Sequence, residues 1–228
     1  MSKAAAAVSD NAANSPYSNG WQTGDNGGSG FGAWTISGSG SAGVFVGGSD
    51  IGASSWGLYA NSGGLSQAVR SLSSSLAVGQ TFSLQMDNGF VNTGGTVGFS
   101  LQSSGANRFE FLFIGGQSNY LINDSTTGDN TGVGFTSSGL TLAFQLTGAD
   151  AYSFTINGGS AITGNLGNSG GIDGIRFYNA NAGPGSDHDL FFNNLSVVPE
   201  PSHIALAIFG GLFLVGCGVR RLGRKAQA

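Results

Sequence analysis

Three phenylalanines at alternate positions, Phe109, Phe111 and Phe113, set against Glu110, Leu112 and Ile114, constrain this chain more than any other stretch. Alternate residues of an extended strand point to opposite faces, whereas the same spacing on a helix distributes them around the axis. The segment is therefore a strand, and its largely apolar second face predicts a central one. The pattern recurs: Phe82, Leu84 and Met86 interleave with Ser83, Gln85 and Asp87, and Val97, Phe99 and Leu101 with Gly98, Ser100 and Gln102. Leu140, Leu142, Phe144 and Leu146 form another face, and Tyr152, Phe154 and Ile156 follow Gly148, Ala149 and Asp150, which read as a hairpin turn. Ile172 to Tyr178 and Leu190 to Val198 close the series. Leu65, Val69, Leu72 and Leu76 fit helical spacing weakly, but Ser71, Ser73, Ser74 and Ser75 are poor helix formers, so a strand is predicted there.

Earlier in the chain, Phe31 to Ile36, Val44 to Val46 and Trp56 to Ala60 are short apolar runs bounded by glycines. Many short strands on Gly-rich links predict an all-β domain over 31–198, an antiparallel β-sandwich or jelly roll, with a barrel as the alternative closure. A β-helix is disfavoured because the Gly-Gly pairs show no fixed repeat. The 42 glycines among 228 residues could signal disorder, but 16 Phe, 3 Trp and 5 Tyr require a packed interior. The lone cysteine, Cys217, excludes an intramolecular disulfide, leaving burial and sheet hydrogen bonds to hold the fold. Residues 1–30 read as a Gly/Asn/Ser-rich leader docking through Trp21. Met1-Ser2-Lys3 followed by Ala4 to Ala7 has no apolar core of a secretory signal, so the expectation is that the signal peptide is missing from this start.

The end of the chain has a different character. Ile204 to Val219 is uncharged, and Arg220, Arg221, Arg224 and Lys225 follow at once. As a helix these 16 residues rise about 24 Å, enough for a thin single span with snorkelling basic flanks. Four of the eight Lys and Arg lie in the last nine residues, which places the C-terminus in the cytoplasm and the domain across the membrane. Just before the apolar run, Pro199 and Pro201 flank Glu200 and hold an extended peptide at the membrane edge. The order of Pro-Glu-Pro triplet, short apolar helix and basic end over 198–228 resembles the PEP-CTERM sorting signal of exported bacterial proteins. That resemblance implies an exosortase as processing partner, an inner-membrane intermediate, and delivery to the cell surface or extracellular matrix, with Pro199, Glu200 and Pro201 as substrate and Arg220, Arg221, Arg224 and Lys225 as the anchor's basic cluster.

Before residue 199 the charge is 4 − 11 = −7, with no basic stripe to release counterions from phosphates, so nucleic acid is not an expected partner. Catalytic patterns are also missing. Concanavalin-like glucanases carry Glu-x-Asp-x-x-Glu on one strand face, which has no match here, and no Gly-x-Ser-x-Gly elbow occurs. His188, between Asp187 and Asp189, reads as a solvated polar cluster. No cofactor is expected, although Asp124 with Asp129 and Asp187 with Asp189 sit in Asx-rich loops able to offer oxygens to a structural calcium ion. Sugar stacking would use Trp21, Trp34, Trp56, Tyr120 or Tyr178, weighed against core positions. Asn193 to Val197 looks like the closing strand of concanavalin-A-like and carbohydrate-binding-module jelly rolls. The expectation is a noncatalytic exported protein associating with exopolysaccharide; the alternative is a secreted glycan-processing enzyme with a carboxylate pair such as Asp87 and Asp173.

Overall fold

A computed structural model of the protein describes residues 8–198. In chain order its strands are β1 (Val8–Asp10), β2 (Thr35–Ser39), β3 (Ala42–Ser49), β4 (Gly52–Ala60), β5 (Leu65–Ser71), β6 (Thr81–Asn88), β7 (Thr96–Ser103) and β8 (Ala106–Ile114). They continue as β9 (Asn119–Asn123), β10 (Asp129–Gly134), β11 (Leu140–Leu146), β12 (Ala151–Ile156), β13 (Ile162–Asn165), β14 (Gly174–Ala180) and β15 (Leu190–Val198). Only two short 3-10 turns, Ser15–Tyr17 and Ser186–His188, interrupt this all-β chain among the described residues.

The strands form two antiparallel sheets. One has the order β13-β12-β11-β6-β15-β4-β3, and the other β10-β9-β8-β7-β14-β5-β2. β15 pairs with β4 through Leu190–Phe192 and with β1 through residues 195–197, so β1 prolongs the line of β4. Between those two pairings a bulge at Asn193–Ser196 adds one residue against β6, with Asn194 at φ 53. The Leu65 segment is strand β5, and the Gly148–Asp150 turn joins paired strands β11 and β12.

The alternation read from the sequence is realised as two inner faces. Phe99, Phe109, Phe111, Phe144 and Phe154 fill one part of the core, and Trp21, Trp34, Trp56, Phe177 and Phe192 another. Phe177 of β14 and Phe192 of β15 stack in parallel across the sandwich, 3.6 Å between centroids.

The expected boundary at residue 31 does not coincide with a structural one. β1 is hydrogen-bonded into a sheet, and Tyr17 and Trp21 lie in the same core as Trp34 and Trp56. A polar, Gly-rich stretch can be integral when its few aromatics and one carboxylate are buried. The triplet Pro199-Glu200-Pro201, the apolar run 204–219 and the basic cluster 220–225 lie outside the described residues. Among the described residues no helix is long and apolar enough to cross a membrane.

Candidate functional site

Strand parity that sends Phe109, Phe111 and Phe113 inward turns Glu110 and Leu112 outward, and pairing aligns them with equivalent positions on five neighbours. One row across the outer face of the seven-stranded sheet runs Thr35, Val69, Arg176, Ser100, Glu110 and Asn123. The next runs Ser37, Gln67, Tyr178, Gly98, Leu112 and Leu121. Polar side chains thus lie on strands whose sequence positions are far apart.

Glu110 is held by two side-chain donors: Asn107 Nδ2 donates to Oε1 at 3.2 Å and Asn123 Nδ2 to Oε2 at 2.7 Å, with the Tyr178 hydroxyl close to the same carboxylate. Burial first, and then Glu110, push the Tyr178 hydroxyl well above the usual phenol range, so it remains a proton donor. Arg176 donates from Nε to Gln67 Oε1 at 2.9 Å, and its guanidinium carbon lies 4.6 Å from the Tyr178 ring centroid. Gln67 in turn donates to Ser37 Oγ at 2.9 Å. Beneath this layer the Ser100 hydroxyl is fully buried without a partner.

Gly98 makes the layer compact. A Cβ there would sit 2.2 Å from the Phe111 carbonyl oxygen, a backbone atom that cannot swing aside. Without that side chain, Tyr178 and Leu112, its partners in the row, close over the sheet and are nearly buried.

The aromatic candidates from the sequence go elsewhere. Trp21, Trp34, Trp56 and Tyr120 are 4 %, 1 %, 0 % and 0 % exposed, and Tyr178 is 5 % exposed under Arg176. None offers a free ring face, because the core of a small sandwich claims large apolar area first. A groove of about 620 Å³ between the segment around Tyr17 and Trp21 and strand β3 has no acid, base or imidazole on its walls.

The calcium candidates separate into two unlike pairs. Asp124 and Asp129 both contact the Thr126 hydroxyl, and Asp124 accepts from the Tyr152 hydroxyl at 2.7 Å beside a cavity of about 210 Å³. Asp187 is exposed whereas Asp189 is buried, and desolvation raises the Asp189 carboxyl to about 6. Among the described residues no three His, Cys, Asp or Glu side chains converge as a metal site. The carboxylates Asp87 and Asp173 are not brought together. Asp87 accepts from the Asp50 amide near the Leu190 end of β6, whereas Asp173 precedes β14 and accepts from the Ser104 amide at 2.9 Å. The far end of β14 is the one that approaches β15's start, through Asn179 and the His188 carbonyl.

Sequence reading missed Arg176, Gln67, Asn107, Asn123 and Ser100 as one surface. The available signal was parity, polar residues alternating with core ones, but it names no neighbour across strands.

Two sheets of this order with one polar outer face define a jelly-roll type β-sandwich. No protein-family profile and no curated protein matches the chain. Among solved structures it is similar to a sialidase (TM-score 0.58, 11% identity, 74% of this chain) but spans only 17% of that protein's length. It is also similar to a family 16 glycosyl hydrolase protein from Mycobacterium smegmatis (TM-score 0.54, 13% identity, 83% of this chain and 98% of that one). The T. cruzi calreticulin globular domain is a third likeness (TM-score 0.52, 10% identity, covering 85% and 95%). At such identity the likeness is one of fold.

Proposed function

We propose that this protein is a noncatalytic, exported component of the cell surface or extracellular matrix that associates with exopolysaccharide through the outer face of its seven-stranded sheet. The observation that carries the reading is the ordered row of Arg176, Ser100, Glu110 and Asn123 flanked by Gln67 and Tyr178, a flat array of donors and acceptors of the kind that hydroxyl-rich polymers engage. Two fold neighbours bear the names of carbohydrate-active proteins, a sialidase and a glycosyl hydrolase, which supports a carbohydrate-associated role. The PEP-CTERM-like tail supports export: an exosortase cuts near Pro199, Glu200 and Pro201, after the helix and the basic cluster have held the chain in the inner membrane.

Against turnover stands the charge pattern of the face. Paired-carboxylate glycoside hydrolysis needs two acids about 5 to 9.5 Å apart. Glu110 is the only carboxylate in those two rows, and two amide donors hold it. The test is incubation of the exported protein with its host's exopolysaccharide: co-sedimentation without new reducing ends is expected, whereas chain cleavage would install the enzyme reading. Intact mass of the surface-recovered protein tests the tail, with a C-terminus near residues 199–202 expected and retention of 220–228 contradicting processing.

A further inference from the structure

The described residues contain three basic side chains other than histidine, Arg70, Arg108 and Arg176, against eleven carboxylates. Arg70 is buried on Asp10, Asn26 and the Gly32 carbonyl. Arg108 is buried on Asp150 and the carbonyls of Gly167 and Gly170. Arg176 alone among them reaches the surface. Only its Nε is engaged, by Gln67, and no partner holds either Nη group. Stacking on Tyr178 and the Gln67 contact fix the plane of the guanidinium, so the free edge is presented in one orientation.

We infer that the Nη edge of Arg176 is a carboxylate-binding point, and that the glycan this face takes is acidic, a polymer of uronic acid residues. The inference rests on the carbohydrate reading above and sharpens it. A planar guanidinium with a free edge matches a carboxylate bidentately, which a neutral sugar hydroxyl cannot do. Glu110 does not occupy this edge, because its oxygens accept from Asn107 and Asn123 and it forms no ion pair with Arg176. The buried Ser100 hydroxyl, next to Arg176 in the row and without a partner, leaves one more polar group for a ligand that displaces the covering side chains. The surrounding acidity makes the selection local: an anion is accepted at this fork and repelled elsewhere.

The probe is polygalacturonate compared with the same polymer after carboxyl reduction, binding to the full chain being measured for both. Reduction is expected to weaken binding about tenfold or more, and Arg176→Gln to remove that difference while Arg176→Lys, which keeps charge but not the fork, restores only part of it. Equal binding of the two polymers by the unaltered protein, or a preference that survives in a folded Arg176→Gln variant, overturns the acidic-ligand inference and leaves glycan association standing. The reduction arm needs no variant, so a folding defect in Arg176→Gln does not blunt it. Failure to bind these polymers and the host exopolysaccharide alike overturns the underlying reading and the inference with it.

Discussion

Asp10 Oδ2 lies 2.6 Å from Arg70 Nη1, and neither side chain is exposed. Asp10 ends β1 in the eight-stranded sheet and Arg70 lies in β5 of the other, so the pair ties the two layers together. The Tyr17 hydroxyl donates to the same Oδ2 at 2.5 Å, and the guanidinium sits 4.4 Å from a Trp34 ring centroid. β1 and the segment that follows it are thereby anchored beside the tryptophan cluster.

Breaking that pair from one side strands the other charge in a dry interior. Asp10→Asn or Arg70→Met is each expected to cost about 3 to 5 kcal/mol of unfolding free energy, while the double variant costs clearly less than the sum. Urea titrations of the four proteins measure the coupling, and strict additivity would contradict it.

Asp189 contributes a pH dependence of the opposite sign to a salt-bridged carboxylate. Desolvation raises its folded-state value to about 6, the attraction of His188 opposing and the repulsion of Asp187 adding. Unfolded, it ionises near ~3.9. Between those values the folded chain keeps a proton that the unfolded chain has lost, so this residue's contribution to stability falls as pH rises through the window, by about 1 to 3 kcal/mol. Asp189→Asn is expected to gain stability over the parent between pH 4 and pH 7. A constant difference between the two across that range would refute the assignment.

Gly98→Ala places a methyl against the Phe111 carbonyl, at 2.2 Å in the unrelaxed backbone. A cost of about 1 to 3 kcal/mol is expected, together with reduced glycan binding because Tyr178 and Leu112 can no longer close over the strand. Thermal denaturation and co-sedimentation read the two effects separately.

Tryptophan emission distinguishes a core role from a sugar-stacking role. With Trp21, Trp34 and Trp56 all inside the sandwich, emission is expected to be blue-shifted, resistant to iodide and unchanged on glycan binding. A ligand-induced shift would move the binding surface to the Trp21 groove.

Much of the fold was legible because period-two burial is a local property. Phe82, Phe99, Phe109 and Leu142 announce inward faces whichever strands they pair with, and each is buried. The docking of the leader through Trp21 was legible and is present in the core, whereas the burial of Asp10 and Tyr17 beside it was not, because composition averages over a stretch and these residues act singly. The functional aromatics were the least legible, since a buried and an exposed tryptophan are the same letter.

By itself the sequence determined an all-β chain without disulfide support, an acidic body and an uncharged C-terminal run with a basic end, because alternation, cysteine count and charge are properties of residues in order. Only the tertiary structure decided that Gln67, Arg176, Ser100, Glu110 and Asn123 share one face, since pairing of β5, β14, β7, β8 and β9 joins residues up to 109 positions apart. It also decided which arginines are spent. Arg70 and Arg108 meet carboxylates and carbonyls inside the fold, and Arg176 does not, a difference that depends on what lies across the sheet and not on neighbours along the chain.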